Sequence, residues 1–279
     1  DIVVQEGGMP IANFPAVAGH ERLGVVKQVG SAVQDKSLKP GDTVVLSFHS
    51  CGKCKTCLSD RHGSCPRVTE TNFLSTARAD KSSPISLPDG TPVHGQFFGQ
   101  SSMSKMAVVT EKSVVKIPSQ TQESDLQHIA PFSCGYLTGA GTVLNEFRPD
   151  PETSKIAIIG MGPVGFAGLL AAKAIGVKDL VAVDIVDSKL ELAASLTGAH
   201  TVNSLKPPGG GSLSDKILSI YPEGVDYILD TTGRPAILSD AFKALGHAGT
   251  LALVGVPPPT GTIEVNALDL LTSCIPLLP

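Results

Sequence analysis

Four of the six cysteines in this 279-residue chain lie within one short stretch, at Cys51, Cys54, Cys57 and Cys65, with the spacing C-x2-C-x2-C-x7-C. Four thiolates supplied by one loop match the closed tetrahedral shell of a structural zinc ion. A disulfide-bonded knot is the alternative, but cysteines two residues apart pair poorly because a disulfide needs suitably directed Cβ atoms. The spacing therefore predicts a structural zinc site, which stabilises a lobe and does no chemistry.

The composition excludes several classes of protein. The formal net charge of −4 provides no basic footprint for nucleic acid and no polybasic membrane patch. No apolar run in the sequence reaches the length of a membrane span. Clustered cysteines of the metal-binding kind favour a reducing compartment. We therefore expect a cytoplasmic protein without nucleic-acid or membrane partners.

The two ends of the sequence suggest a fragment. The chain begins at Asp1 without a methionine, and it stops at Pro279 just after a pattern typical of a strand or helix. We therefore expect a longer protein, and a targeting segment upstream of Asp1 would be hidden.

The first half of the sequence, up to about residue 135, consists of short β-like runs separated by turn residues. The runs that predict strands are 23–29, 43–46, 106–109 and 113–117. Many short strands with regular turn signals predict an all-β, barrel-like unit.

Near residue 140 the pattern changes to strands that alternate with helices. The predicted strands are 156–159, 179–183, 225–229 and 249–254, and the predicted helices are 164–175, 187–194 and about 235–245. This alternation predicts βαβ units around a doubly wound parallel sheet, so the fold class is α/β.

A glycine motif opens the first predicted helix of this second half. Gly160, Gly162 and Gly165 form G-x-G-x-x-G directly after an apolar strand, which is the context that a dinucleotide-binding fingerprint requires. Asp184 ends the next strand, where an acid binds the adenosine ribose. A carboxylate there repels a 2′-phosphate, so NAD is favoured over NADP, and Lys189 is a candidate second contact to the ribose. A plain strand-turn-helix with an exposed Asp is the alternative.

Two further constellations mean little when each is taken singly. The first is Gly19-His20-Glu21, and a lone histidine is more often a satisfied structural residue. The second is Cys134 with Thr138 shortly after it, and a lone buried cysteine most often behaves as a small core hydrophobe.

Together, these motifs resemble those of the zinc-containing medium-chain alcohol dehydrogenases. The matching parts are the segment 19–33 with His20 and Glu21, the four-cysteine loop, the segment 134–139, and the glycine motif with Asp184. Gly233, Val254 and Val256 are similar to the strand ends that contact the coenzyme in that family. A narrower resemblance to the aryl (benzyl) alcohol dehydrogenase subgroup rests on Asn72, Phe73, Arg78, His94 and residues 97–102.

The resemblance implies two domains. Residues 1–138 would form a GroES-like, mostly β catalytic domain that lacks its N-terminal part. Residues 139–279 would form a Rossmann NAD-binding domain that lacks its C-terminal return segment. The family also implies a homo-oligomer, either a dimer or a tetramer.

The resemblance also implies a catalytic zinc held by Cys, His and Cys, in addition to the structural one. His20 and Cys134 match two of these ligands, and the third falls before the first residue of this sequence. Asp1 would support the His20 ring, and Glu21 matches a residue beside the metal. Thr138, Val254 and Val256 match residues that contact the nicotinamide. Phe48 and Phe97 or Phe98 are candidate pocket walls, although an aromatic side chain is more often core.

The implied function is a zinc-dependent oxidoreductase that transfers a hydride between an alcohol and NAD. The expected small-molecule partner is a primary alcohol of the aromatic or allylic type, or its aldehyde. Within the same family, a polyol or short-chain alcohol dehydrogenase is the alternative. From another class, a catalytically incomplete fragment that binds zinc and nucleotide fits the same motifs.

Overall fold

The computed structural model describes residues 1–8, 13–74, 82–205 and 211–273. The chain divides into two compact units, Asp1–Cys134 and Gly135–Pro279. The boundary expected from the sequence, between residues 138 and 139, lies inside the first helix of the second unit. Of the residues named above, Arg78 lies outside the described ranges.

The first unit has five short strands in its described residues. They are β1 (Arg22–Val25), β2 (Thr43–Leu46), β3 (Ile85–Ser86), β4 (Pro92–Val93) and β5 (Val114–Lys116). An antiparallel sheet of order β1-β2-β5 forms the centre, and β3 pairs with β4 separately. Val44, Val45 and Leu46 of the central strand β2 are buried, and β2 is paired on both edges.

Short helices and irregular backbone make up the rest of the described first unit. The helices are α1 (Ile2–Gln5), α2 (Lys55–Leu58) and α3 (Glu123–Ile129), with 3₁₀ helices at His62–Ser64, Phe97–Gly99, Glu111–Ser113 and Ala130–Ser133 and a π-helix at Thr69–Phe73. Irregular backbone leaves N–H and C=O groups without ladder partners, so side chains must satisfy them where they are buried.

One strand prediction in this unit was wrong. The β-branched run 106–109 predicts a strand, but these residues form none. Met106 and Val108 are 78% and 61% exposed, so the run has no face to bury. Strand propensity mainly reflects packing on a half-buried surface, and this run lacks that surface. The predicted strand 23–29 is also shorter, because β1 ends at Val25.

The second unit contains a five-stranded parallel sheet. Its strands are β6 (Lys155–Ile159), β7 (Asp179–Asp184), β8 (His200–Asn203), β9 (Val225–Asp230) and β10 (Leu245–Leu253). They lie in the order β10-β9-β6-β7-β8. The helices are α4 (Gly135–Gly141), α5 (Pro163–Ala174), α6 (Asp187–Thr197), α7 (Leu213–Ile220), α8 (Pro235–Ala241) and α9 (Ala267–Thr272), with a π-helix at Thr142–Phe147 and a 3₁₀ helix at Phe242–Ala244.

The last helix and strand of this sheet differ from their predicted bounds. Helix α8 ends at Ala241, earlier than expected, and β10 begins at Leu245 instead of residue 249. The pairing of β10 with β9 shifts register between Leu245 and Thr250, so the strand accommodates an irregular stretch. The alternation of apolar and polar residues along a strand does not reveal such an irregularity.

Both faces of the parallel sheet are covered. Ile156 and Ile158 of β6 pack in one cluster with Leu169 of α5, and Ile159 packs in a second cluster with Ile217 of α7. Alternate residues of a strand point to opposite faces, so α5 and α7 lie on opposite sides. Burial on both faces explains why the strands are near-continuous apolar runs. The predicted α/β fold class with a doubly wound sheet is confirmed.

The strand order places a crevice at the carboxyl end of β6. The chain proceeds from β6 outward to β8 and then returns to β9 on the other side, so the order reverses between β6 and β9. In open parallel sheets, ligands bind outside the carboxyl ends of the strands at this reversal. The glycine motif follows β6 and lies at that position.

Burial predicts unequal effects of two neighbouring leucines on helix α5. Leu169 is fully buried and Leu170 is 42% exposed. We expect Leu169→Ala to lower the free energy of unfolding by about 2–5 kcal/mol, because it leaves a cavity. Leu170→Ala should cost less than about 1 kcal/mol. Denaturant unfolding followed by circular dichroism measures both, and equal losses would contradict the assigned helix face.

Candidate functional site

The four clustered cysteines come together in the first unit. The sulfur atoms of Cys51, Cys54, Cys57 and Cys65 all lie within 4.8 Å of one another, and Cys57 and Cys65 are buried. The Sγ atoms of Cys51 and Cys57 are 3.9 Å apart, far beyond a disulfide bond. Tetrahedral zinc with bonds of about 2.3 Å to sulfur separates its ligands by about 3.8 Å. The donor set and its spacing therefore fit a zinc ion with four thiolates.

One buried amide closes the base of the four-cysteine loop. The side chain of Asn72 accepts a hydrogen bond from His49 N at 2.8 Å and donates to His49 O at 2.8 Å. It also donates to Val68 O at 2.9 Å. His49 precedes the first cysteine and Val68 follows the last one. Asn72, fully buried, therefore joins the two ends of the loop.

The thiols of the loop differ in acidity. Two hydrogen bonds lower the pKa of Cys54 to about 6. The larger effect comes from the Thr56 hydroxyl and the smaller one from the Cys57 N–H. Burial raises the pKa of Cys57 to about 11. A metal ion that binds all four sulfur atoms must displace protons, so its affinity rises with pH.

A second group of possible ligands lies elsewhere in the first unit. Ligand atoms of His20, Glu21 and Cys134 lie within 4.8 Å of one another. His20 and Cys134 are half-buried, whereas Glu21 is exposed. An imidazole, a thiolate and a carboxylate are the ligand types that catalytic zinc sites use. These three groups therefore fit a metal ion that keeps an accessible side.

Asp1 orients the His20 ring. The Nδ1 atom of His20 is 3.3 Å from Asp1 Oδ1, and Gly19 N donates to the same oxygen at 3.1 Å. This contact directs the Nδ1 proton to the carboxylate and leaves Nε2 as the ligand atom. Burial lowers the pKa of His20, which favours the neutral ring that a metal requires.

Aromatic rings surround His20. The Phe98 ring lies 4.7 Å from the His20 ring, tilted by 31°, and the Phe97 ring lies 6.1 Å away, edge to face. Phe73 contacts Phe98 with centroids 5.1 Å apart. Phe97 is buried, whereas Phe73 and Phe98 are half-buried. The side of the ligand group next to His20 is therefore apolar and aromatic.

The glycine motif leaves space at the start of helix α5. No heavy atom lies within 4 Å of the position that a Cβ on Gly162 would take. Gly165 differs, because a Cβ there would lie 1.8 Å from Gly160 O. The first arrangement leaves room for a ligand beside free helical N–H groups, and the second packs the helix tightly on the strand. This geometry fits a nucleotide diphosphate.

Asp184 ends strand β7 beside the glycine motif and is nearly buried. Its carboxylate accepts hydrogen bonds from Met161 N at 2.6 Å, Ile185 N at 2.8 Å and Val186 N at 3.0 Å. Lys189 Nζ lies 3.8 Å from the same carboxylate. These bonds hold a negative charge at the carboxyl end of β7, next to the turn after β6.

The other predicted coenzyme residues lie in the second unit as well. Gly233 follows β9, and its N–H donates to the buried Asp230 carboxylate at 2.8 Å. Val254 and Val256 follow β10, and Val256 is 60% exposed. These three residues lie at the carboxyl ends of the strands, whereas Thr138 lies in α4.

Two residues near His20 were not found from the sequence. The carbonyl oxygen of His20 accepts a hydrogen bond from Gln100 Nε2 at 3.1 Å. Ser133 Oγ, which donates to Ala130 O at 2.8 Å, lies 3.5 Å from the same oxygen. Gln100 belongs to the segment 97–102 that resembles a subgroup, but no local pattern connects it with His20. The contact spans 80 positions of the chain, so only the fold brings the two together.

Comparison with known proteins identifies the family. The model "Alcohol dehydrogenase GroES-like domain" matches residues 1–119, and the model "Zinc-binding dehydrogenase" matches residues 163–275. Geraniol dehydrogenase of Castellaniella defragrans is 36% identical over 279 residues, which are all of this chain and 72% of that protein. The chain belongs to the zinc-containing medium-chain alcohol dehydrogenase family.

Solved structures of this alcohol dehydrogenase family have the same fold. An alcohol dehydrogenase zinc-binding domain protein from Burkholderia ambifaria matches with a TM-score of 0.89 and 37% identity over 99% of this chain and 71% of that chain. Benzyl alcohol dehydrogenase from Acinetobacter calcoaceticus matches with a TM-score of 0.84 and 34% identity, with the same coverage. The described residues contain no helix that is long and apolar enough to span a membrane.

The four-cysteine cluster generates a prediction on metal content. Cys65 is 1% exposed and its sulfur belongs to the cluster. We expect Cys65→Ser to lose one zinc ion per chain, whereas Ser64→Ala, its neighbour in sequence, should keep it. Plasma mass spectrometry of the purified proteins measures the difference. Equal zinc content in the two variants would contradict a four-thiolate site.

The second and third glycines of the motif should respond differently to alanine. Gly165→Ala places a Cβ against Gly160 O and should lower the free energy of unfolding by about 1–3 kcal/mol. Gly162→Ala meets no atom, so its stability should change by less than about 0.5 kcal/mol. The same Cβ should nevertheless weaken dinucleotide binding, because it occupies the ligand's space.

Thermal unfolding and calorimetric titration with NAD separate these two effects. Unchanged NAD affinity in a stable Gly162→Ala protein would contradict the diphosphate position.

Proposed function

We propose that this protein is a zinc-dependent alcohol dehydrogenase that transfers a hydride between a primary aromatic or allylic alcohol and NAD. The observation that carries the proposal is the group of His20, Glu21 and Cys134, with ligand atoms within 4.8 Å of one another, beside the Phe98 ring. Membership in the zinc-containing alcohol dehydrogenase family supports this interpretation.

The catalytic metal would be held by His20 Nε2 and Cys134 Sγ, with Glu21 next to it. Zinc bound there supplies a Lewis acid that polarises the alcohol oxygen. Asp1 holds the Nδ1 proton of His20 and keeps the ring in one orientation. Burial lowers the pKa of His20, which favours the neutral ring that can act as a ligand.

The aromatic rings beside His20 support the proposed substrate class. Geraniol and benzyl alcohol, which the names of two relatives contain, both have a π system next to the carbon that bears the hydroxyl. The half-buried rings of Phe73 and Phe98 offer apolar surface for such a group. Aromatic rings prefer offset or edge-on contacts with other π systems, and each contact contributes about 0.5–1.5 kcal/mol.

The second unit would bind the coenzyme. NAD supplies the hydride acceptor. The open space at Gly162 and the N-terminus of α5 would take the diphosphate. The Asp184 carboxylate, with Lys189 beside it, would bind the adenosine ribose and disfavour a 2′-phosphate. Thr138, Gly233, Val254 and Val256 would contact the nicotinamide end.

The remaining parts of the proposal follow from the cysteines and the family. Cys51, Cys54, Cys57 and Cys65 would hold a structural zinc, so the complete protein would contain two zinc ions. Clustered reduced thiols support a cytoplasmic location. The family resemblance supports a homo-oligomer.

Histidine substitutions test the catalytic site. We expect His20→Ala to lower the rate at which NAD oxidises benzyl alcohol on the order of a thousandfold or more, because polarisation by the metal lowers the activation barrier by several kcal/mol. His62 belongs to the four-cysteine loop, where its Nδ1 lies 3.1 Å from Ser50 Oγ. His62→Ala should therefore keep most of the activity. NADH absorbance of the full-length protein measures both rates. Equal losses would argue against the site.

A carboxylate pair tests the choice of coenzyme. Asp184→Asn removes the charge that disfavours a 2′-phosphate, so we expect the preference for NAD over NADP in kcat/KM to fall about tenfold or more. Asp226 is a matched control: it also accepts a main-chain hydrogen bond, from Lys155 N, but it lies at the amino end of β9. Asp226→Asn should leave the preference unchanged. An unchanged preference in Asp184→Asn would refute the role of this carboxylate.

A further inference from the structure

Gln100 is a buried amide with a fixed orientation. It is 1% exposed, and its Nε2 donates to His20 O at 3.1 Å and to Ser47 O at 3.2 Å. Both partners are main-chain carbonyls, which accept hydrogen bonds and donate none. A flipped amide would place its own oxygen against them, so only the present orientation is compatible with the contacts.

The other end of the Gln100 amide has no partner. Its Oε1 is buried and makes no hydrogen bond to any described residue. A buried polar atom without a partner costs about 1–3 kcal/mol. An apolar side chain of similar size would fill this space without that cost. Packing alone therefore does not explain a glutamine at this position, whereas its hydrogen bonds to the carbonyls of His20 and Ser47 do.

The Gln100 contacts connect the segments that hold the candidate ligands. Ser133 Oγ lies 3.5 Å from His20 O, although its single proton is donated to Ala130 O at 2.8 Å, and Ser133 directly precedes Cys134. Ser47 Oγ in turn donates to Ser133 O at 3.4 Å. A polar cluster of His20 O, Ser47, Gln100 and Ser133 thus links the backbone of both ligand residues within the first unit.

The segment that carries Gln100 contacts His20 a second time. Two residues earlier, the Phe98 ring lies 4.7 Å from the His20 ring. Phe98 has a φ of 52° and Ser101 a φ of 45°, a left-handed conformation that non-glycine residues rarely adopt. Such conformations persist only where surrounding contacts hold them. The backbone here directs one side chain to the His20 ring and another to its carbonyl.

We infer that Gln100, together with Ser47, is a positioning residue that sets the separation and orientation of the His20 imidazole and the Cys134 thiolate as metal ligands. The inference rests on the proposed function, because it requires a metal ion at His20 and Cys134. Gln100 touches neither the metal nor the substrate in this role. Through the His20 main chain it restricts the ring, as groups behind metal-bound histidines commonly do.

The test compares Gln100→Met with a matched control. Methionine has nearly the same length and no hydrogen-bond donor, so the variant loses both bonds to the carbonyls. Gln96 lies four positions earlier, is 6% exposed and also has a buried, unpartnered Oε1. The structure gives it no hydrogen bond to His20 or Ser47, so Gln96→Met makes the same chemical change away from the ligands.

The first measurement is Co²⁺ binding to metal-depleted full-length protein. The part of the thiolate-to-Co²⁺ charge-transfer absorption that is lost in His20→Ala is assigned to the His20–Cys134 site. We expect Gln100→Met to weaken Co²⁺ binding at that site about tenfold or more and to shift the absorption band. In turnover, kcat should fall while the KM for NAD stays unchanged. Gln96→Met should keep cobalt affinity within about twofold of the unchanged protein.

The outcomes separate this inference from the proposed function. If Gln100→Met binds cobalt as tightly as the unchanged protein, the positioning role is overturned and the proposed function stands. If the unchanged protein shows no cobalt absorption that depends on His20, the proposed function fails and the inference fails with it. Should Gln100→Met not fold, Ser47→Ala removes the hydroxyl that donates to Ser133 O and is expected to weaken cobalt binding to a smaller extent. Unweakened binding in Ser47→Ala would then overturn the inference.

Discussion

The first unit depends on two distant segments that lie side by side. Ser102 N donates to Gly19 O at 3.0 Å, and Met103 N donates to Ala18 O at 3.1 Å. The approach is so close that a Cβ on Gly19 would lie 2.4 Å from Met103 N, and the φ of Gly19 is +100°. Only glycine satisfies both conditions without strain. His20 is the next residue, so its position follows from this pairing.

Amide side chains take over where the first unit lacks regular structure. Asn72 bonds the two ends of the four-cysteine loop, and Gln100 bonds the carbonyls of His20 and Ser47. Both are buried, and both bond main-chain groups that lie outside the strands. Each candidate metal centre is therefore stabilised in the same way. A buried amide side chain bonds main-chain groups of two segments, at least one of which is distant from it in sequence.

The second unit shows how much can be predicted when the signal is local. The apolar runs of β6 and β7 and the small-residue helix α5 were predicted within one or two residues, because burial on both faces leaves a continuous hydrophobic pattern. The first unit was harder to predict. The run at Met106 has strand propensity, but the fold gives it no surface to pack against, and propensity alone does not form a strand.

By itself, the sequence determined the residue types and spacings that indicate the chemistry: the four cysteines of the loop, the glycine motif before α5, and the pattern of a parallel sheet. These are local, since each depends on residues a few positions apart. The family resemblance already offered Asp1 and Phe98 as neighbours of the His20 site. The tertiary structure alone decided their geometry and brought the Gln100 amide to the same residue. Hydrogen bonds and ring contacts act over a few ångströms in space and carry no trace in sequence spacing, so only the folded chain brings these groups together.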